Sequence, residues 1–354
     1  MSRGQDETPQ GGAPGAAARA IGLERMSRRG LLLLAGPGAL VTALLAGALA
    51  PVKAEPRPLD VVATTSMIAD AVRQIGGERA QVRALMGPGV DPHGYRQTRT
   101  DIAALTRADL ALWHGLYLEA QMERFMLELA GRRTVVAVAE ALPRDLLLAH
   151  EDYEGKYDPH IWMNPALWNR VVLRVRDTLV EARPQWRAEF EANTERFRAE
   201  IAALDAYSRE TLATVPPEAR VLVTAHDAFG YFGAAYGFEV VGIQGISTES
   251  EAGVNRIREM VQMLVSRRIG AVFIESSVPD RNVRALIEGA AARGHKVVIG
   301  GELFSDAMGP GDSYEGTYIG MIDHNVTTIA RALGGTAPAR GMQGKLQGKL
   351  AQGG

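Results

Sequence analysis

The chain has 354 residues and a formal net charge of -2. That length suits two ordinary domains, and the charge lacks the basic excess that neutralises phosphates, which argues against nucleic acid as a partner. Cysteine is absent, which excludes disulfides, thiolate metal sites, a cysteine nucleophile and a lipidated cysteine, so any metal must be held by nitrogen and oxygen.

In chain order, residues 1–55 read as a disordered extension and an export signal. Residues 1–25 are rich in Gly, Ala and polar side chains. Ser27-Arg28-Arg29 then precedes an apolar run from Leu31 to Ala50 and a small-residue site ending at Ala54. Positive, apolar and small-residue regions in that order read as a cleaved secretory signal peptide, the alternative for an apolar run of this length being an N-terminal membrane anchor, and the Arg28-Arg29 pair resembles a twin-arginine signal. The expected destination is the periplasm.

Residues 56–184 alternate short β-like runs with helical ones. Strands are expected at Leu59–Thr65, Gln81–Met86, Leu110–Trp113 and Thr134–Val138, and helices at Ile68–Ile75, Thr100–Arg107, Leu116–Gly131 and Pro165–Glu181. Residues 185–215 read as one uninterrupted helix. Trp186, Phe190, Phe197, Ile201, Leu204 and Tyr207 recur at helical spacing along one face. Residues 216–336 repeat the first pattern, with strands at Val221–Thr224, Glu239–Ile243, Ala271–Ile274 and Lys296–Ile299 and a last helix at Thr317–Leu333. Residues 337–354, rich in Gly, Gln and Lys, read as a disordered tail. Alternating strands and helices predict an α/β fold. It has two lobes, each with a mainly parallel sheet flanked by helices, joined by one long rigid helix.

Seven histidines occur. His93 lies in Asp91-Pro92-His93, His160 in Asp158-Pro159-His160, and His226 follows the strand ending at Thr224. Asp306 follows the last strand. Ligands of open α/β sheets bind beyond the carboxyl ends of strands, so two groups from each lobe can converge in the cleft between them. Three imidazoles and one carboxylate suit Zn²⁺ or Mn²⁺. Asp91 and Asp158 are placed to accept the other ring N–H of a ligating histidine. His114 and Glu275, at strand ends, are expected as supporting groups, His114 in packing and Glu275 as a helix cap or facing the cleft. His150 is expected to be solvated, His295 to lie in a turn, and His324 to lie on the surface or in packing. Singly, each loop histidine also fits a solvated or capping role. A metal-dependent hydrolase is the competing class, but no His-Glu-x-x-His occurs and no carboxylate adjoins a histidine at comparable spacing.

Taken together, the two Asp-Pro-His triplets, Thr224-Ala225-His226-Asp227-Ala228-Phe229-Gly230, Gly245-Ile246-Ser247-Thr248-Glu249-Ser250-Glu251 and Gly301-Glu302-Leu303-Phe304-Ser305-Asp306 resemble the metal-specific binding proteins of bacterial ABC importers, the TroA-like family (cluster A-I). The resemblance runs from about Leu59 to Leu333. It implies metal ligands at His93, His160, His226 and Asp306, no enzymatic activity, a monomer, and delivery of Mn²⁺ or Zn²⁺ to an inner-membrane permease with its ATPase. Zinc-specialised relatives carry a long His-rich loop before the second histidine. Here the segment Leu146 to Asp158 is short and holds only His150, which leans toward manganese. The three imidazoles lean toward zinc, and a dedicated zinc-binding protein of the same class is the alternative.

Overall fold

The computed structural model describes residues 56–150 and 153–347. The expected extension and signal at 1–55, and tail residues 348–354, lie outside the described residues. Among the described residues, no helix is long and apolar enough to cross a membrane.

The first lobe is built on four parallel strands, β1 (Leu59–Ala63), β2 (Ala80–Ala84), β3 (Leu110–Trp113) and β4 (Val135–Ala137), in the order β2-β1-β3-β4. The two central strands are almost wholly apolar and buried, as strands covered on both faces must be. Helices α1 (Ser66–Gly76), α2 (Arg99–Arg107), α3 (Glu123–Ala130) and α4 (Pro165–Ala182) complete it. Asn164 caps α4 and Pro165 occupies its first turn, where a missing N–H costs nothing. The second lobe pairs β5 (Val221–Thr224) with β6 (Glu239–Gly242) and β7 (Ala271–Glu275) with β8 (Val298–Leu303), both parallel. β5 lies beside β7. Its helices are α6 (Gly230–Tyr236), α7 (Val254–Ser266), α8 (Arg281–Ala291) and α9 (Tyr318–Ala332).

The long helix α5 (Arg187–Ala213) joins the lobes. Its 27 residues extend about 40 Å at about 1.5 Å per residue. Phe190, Phe197, Ile201, Leu204 and Leu212 form its buried stripe, which packs on α1 and α4 of the first lobe and on α9 of the second. One apolar core therefore runs from β1 and α1 through α4 and α5 to α9. Trp168 of α4 stacks on Tyr318 of α9 with ring centroids 5.5 Å apart. The Tyr318 hydroxyl donates to the Trp162 carbonyl (2.8 Å), and its backbone N–H donates to the Asp70 carboxylate (3.0 Å). A carboxylate at the start of α9 also meets the positive end of the helix dipole.

Three expected elements differ in the structure. The helix expected from Leu116 begins only at Glu123, because Gly115, Leu116 and Tyr117 all have left-handed backbone. The buried Glu119 carboxylate holds this turn, accepting the His114 and Gly115 N–H groups and the Thr64 hydroxyl. The last strand starts later than expected and runs through Gly300-Gly301 to Leu303. There, pairing with β7 overrides the weak strand preference of glycine. Tail residues 337–347 are not disordered. The Met342 N–H donates to Asp323 and the Gln347 N–H to Glu315, and Leu346 is buried.

Since all four tryptophans precede α5, fluorescence reports the first lobe and far-UV dichroism reports both. The shared core predicts coincident urea transitions by the two probes, and Trp168→Ala should lower stability by about 3–5 kcal/mol. Separate transitions would show that the lobes fold independently.

Candidate metal centre

Each of the four expected donors sits in a loop that leaves the carboxyl end of its sheet, and each is held by a carboxylate or hydroxyl. After β2, Asp91 accepts the His93 backbone N–H at 2.8 Å. Before α4, one oxygen of Asp158 accepts both the His160 backbone N–H (2.9 Å) and the His160 ring Nδ1–H (2.7 Å). Directly after β5, the two oxygens of Glu275 accept the His226 backbone N–H (2.9 Å) and its ring Nδ1–H (2.5 Å). Gly242, at the end of β6, lets this loop lie close, since a Cβ there would stand 2.5 Å from the Asp227 nitrogen. After β8, Asp306 accepts the Ser277 hydroxyl at 3.3 Å.

With Nδ1 committed as a donor, the Nε2 atoms of His160 and His226 carry the lone pairs, and both point at one spot. His160 Nε2 lies 3.2 Å from His93 Nε2 and 3.4 Å from His226 Nε2. Asp306 places one oxygen 3.3 Å from His160 Nε2 and the other 3.3 Å from His226 Nε2. A tetrahedral cation with bonds of about 2.0–2.1 Å separates its donors by about 3.3–3.4 Å. The four donor atoms all lie within 4.8 Å of one another, and all four residues are buried. Asp306 Oδ1 faces the His160 ring without a well-aligned hydrogen bond, and a cation in the centre would satisfy it.

Burial and this crowding set the protonation pattern. Burial pushes His93 down to about 3, against the pull of Asp306. Burial would also lower His160, but the charge and hydrogen bond of Asp158 and the facing carboxylate of Asp306 outweigh it and hold His160 at about 9. Burial is likewise outweighed at His226, which Asp306 and Glu275 raise well above its ordinary value. Asp306 is held well below the carboxylate range although burial opposes this, because His226 and His160 face it. The centre is thus built to keep a positive charge, carried by protons or by a cation.

The supporting residues fall into place differently. Asp158 orients a ring as expected. Glu275, which could have capped a helix, faces the cleft and orients His226. Asp91 does not accept a ring N–H. It takes the His93 backbone N–H with one oxygen and the Thr248 hydroxyl, from the second lobe, with the other. His114 donates from Nε2 to the Pro159 carbonyl (2.7 Å) and meets Trp162 edge-on, so it supports the loop that carries His160. His150 is buried rather than solvated. Its loop folds back through the Ala149–Tyr157 bridge, and its ring packs on Tyr153. Trp162, Ser277 and Thr248 were not singled out from sequence. Trp162 donates to the Ser305 carbonyl, next to Asp306, across the lobe boundary. The segment containing Thr248 stands out in the sequence only as part of the family pattern.

The model of the family described as ZnuA, zinc-uptake complex component A, periplasmic, matches residues 61–332. The manganese-binding lipoprotein MntA of Bacillus subtilis is 45% identical over 282 residues, covering 79% of this chain and 92% of that one. The zinc-binding protein TroA of Treponema pallidum is 48% identical over 280 residues, covering 79% and 90%. The solved structure of the T. pallidum periplasmic zinc-binding protein TroA superposes with a TM-score of 0.76 at 47% identity, covering 78% of this chain and 99% of that one. The two-lobe fold, the length matched and these identities place the chain in the ZnuA/TroA family of metal-binding components of ABC importers.

Proposed function

We propose that this protein captures a divalent transition-metal cation, Mn²⁺ or Zn²⁺, between its two lobes outside the cytoplasm and delivers it to an ABC-type permease and its ATPase. His93, His160, His226 and Asp306 are the ligands. The observation that carries this is the group of three imidazole nitrogens and one carboxylate whose donor atoms, all on buried residues, lie within 4.8 Å of one another. The cation is cargo, and the protein performs no catalysis of its own. The two carboxylates beside the centre that would serve a hydrolase as base, Asp158 and Glu275, are both committed to imidazole N–H groups, and four protein donors fill a tetrahedron that a catalytic site would leave open. The protein acts as a monomer, exported by the signal in residues 26–54.

The names of the relatives divide over cargo, manganese in B. subtilis and zinc in T. pallidum. The donors here serve both. Imidazole-rich sites favour Zn²⁺ by the usual stability order. Asp306, with an oxygen facing each of two histidines, can bind through both oxygens and so supply the fifth donor that Mn²⁺ accepts. The short segment before His160 leans toward Mn²⁺ as the cargo in the cell, with Zn²⁺ the tighter competitor.

Titration of the purified protein with Zn²⁺ and with Mn²⁺ should give one site, Zn²⁺ binding more tightly. His226→Ala should weaken either cation about a hundredfold or more, since it removes a ligand and leaves the Glu275 charge unpaired, with far-UV dichroism unchanged. An unaltered titration would remove His226 from the site.

Proton linkage gives a second test. His160 at about 9 and a raised His226 mean that the empty centre holds protons at neutral pH. Cation binding must expel them, so affinity should fall as pH falls. For the chelator-stripped protein the sign is opposite. A raised histidine stabilises the fold fully below its unfolded value near 6.5, and the stabilisation is lost as pH rises through about 9. Its melting temperature should therefore decline from pH 6.5 to 9 while cation affinity climbs. Calorimetry at pH 7 in buffers of different ionisation enthalpy should reveal proton release. Buffer-independent heats would mean that the empty centre is neutral.

A further inference from the structure

The chain between β6 and α7, residues 243–253, makes contacts to both lobes. Its root is secured by backbone bonds from Ile243 to Thr224 and from Gln244 to Ala225. From Ser247 to Gly253 it forms neither helix nor strand and is half-buried or exposed. It forms one wall of an open cleft of about 580 Å³, whose lining includes Asp227, Gln244 and Arg256. Within its own lobe it is tied by Gln244 to the Ser250 carbonyl and by Arg281 to Glu251. Two further bonds cross to the first lobe. The Thr248 hydroxyl donates to Asp91 Oδ2 at 2.5 Å, and Gln121 donates to Glu249 at 2.5 Å.

The first of these crossings ends beside a candidate ligand. Asp91 uses its other oxygen to accept the His93 backbone N–H at 2.8 Å. The rings of His160 and His226 are each held by a carboxylate of their own lobe, whereas Asp91, which holds the His93 backbone N–H, is itself bonded to Thr248 of the opposite lobe. The lobes themselves are joined by a continuous core and the Trp168–Tyr318 stack, which resists a wide hinge opening. A half-exposed polar segment without helix or strand bonds is the compliant part.

We propose that Thr248 is a positioning residue for cation retention, its hydroxyl acting through Asp91 to let the second lobe hold the His93 loop in its binding position. Lifting the 247–253 segment breaks the Thr248–Asp91 and Gln121–Glu249 contacts together, loosens His93, and releases the cation without parting the lobes. This rests on the cation-binding function proposed above.

Release of Zn²⁺ from the loaded full-length protein into excess chelator, followed by stopped flow, tests it. Thr248→Val keeps the shape and removes the hydroxyl, and should speed release about tenfold, the weight of one hydrogen bond to a charged group. Thr248→Ser restores the hydroxyl and should stay within about twofold of the parent. Equal release from the Val variant and the parent overturns the proposal, as does fast release from the Ser variant. A second measurement does not depend on the folding of either variant. Gln121→Cys with Glu249→Cys supplies the only thiols in a cysteine-free chain, and bridging them with a short bis-maleimide should slow release about tenfold or more against the unbridged protein. An unchanged rate overturns the proposal. A parent protein that fails to take up Zn²⁺ one-to-one sinks the cation-binding function itself, a result distinct from equal release rates.

Discussion

The centre depends on two carboxylate–imidazole bonds, Asp158 to His160 and Glu275 to His226. Each commits Nδ1 as a donor and so turns the Nε2 lone pair inward. One pair belongs to each lobe. When the lobes meet, two fixed lone pairs, a third from His93 and the Asp306 carboxylate face a common buried point. Such an arrangement is unfavourable unless a positive charge sits in it, because burial strengthens every uncompensated interaction. Raised histidines beside a depressed aspartate are the form this takes when protons supply the charge.

Placement of the donors is in turn a property of the core. Trp162 is fully buried, meets His114 and His160 edge-on, donates to the Ser305 carbonyl, and accepts from Tyr318 through its own carbonyl. A single indole thus links the loop of His160 to the loop of Asp306 across the lobe boundary. With α5 packed on both lobes and Trp168 on Tyr318, the spacing of the four donors is maintained by close packing, which is bistable rather than continuously deformable. Movement is left to polar segments that lie outside this packing.

Much of the fold was legible because its elements follow local rules. β3 and β5 match their expected bounds to the residue, since an apolar run bounded by polar or turn residues leaves little choice. The misread elements are those decided by distant partners. Apolar spacing from Leu116 onward continues into α3, yet Glu119 binds Thr64 and turns the backbone left-handed before the helix starts. Gly300-Gly301 resembles a loop until β7 lies beside it. His150 sits in a charged stretch, yet its loop folds inward. The Gly-rich tail finds one apolar seat for Leu346 and a buried carboxylate, Asp323, for the Met342 N–H.

By itself the sequence determined the kind of chemistry. Absence of cysteine restricts any metal site to nitrogen and oxygen donors, and histidines in two Asp-Pro-His turns, a third after β5 and an aspartate after β8 offer such donors, a set that the family pattern then singles out. Those facts are local, and local chain chemistry dictates them. The tertiary structure alone decided how the site is held. Glu275 stands 49 residues from the histidine it orients, and Thr248 lies 157 residues from Asp91. Partners so far apart are chosen by the packing of the two lobes, and so are the protonation states that follow from burial.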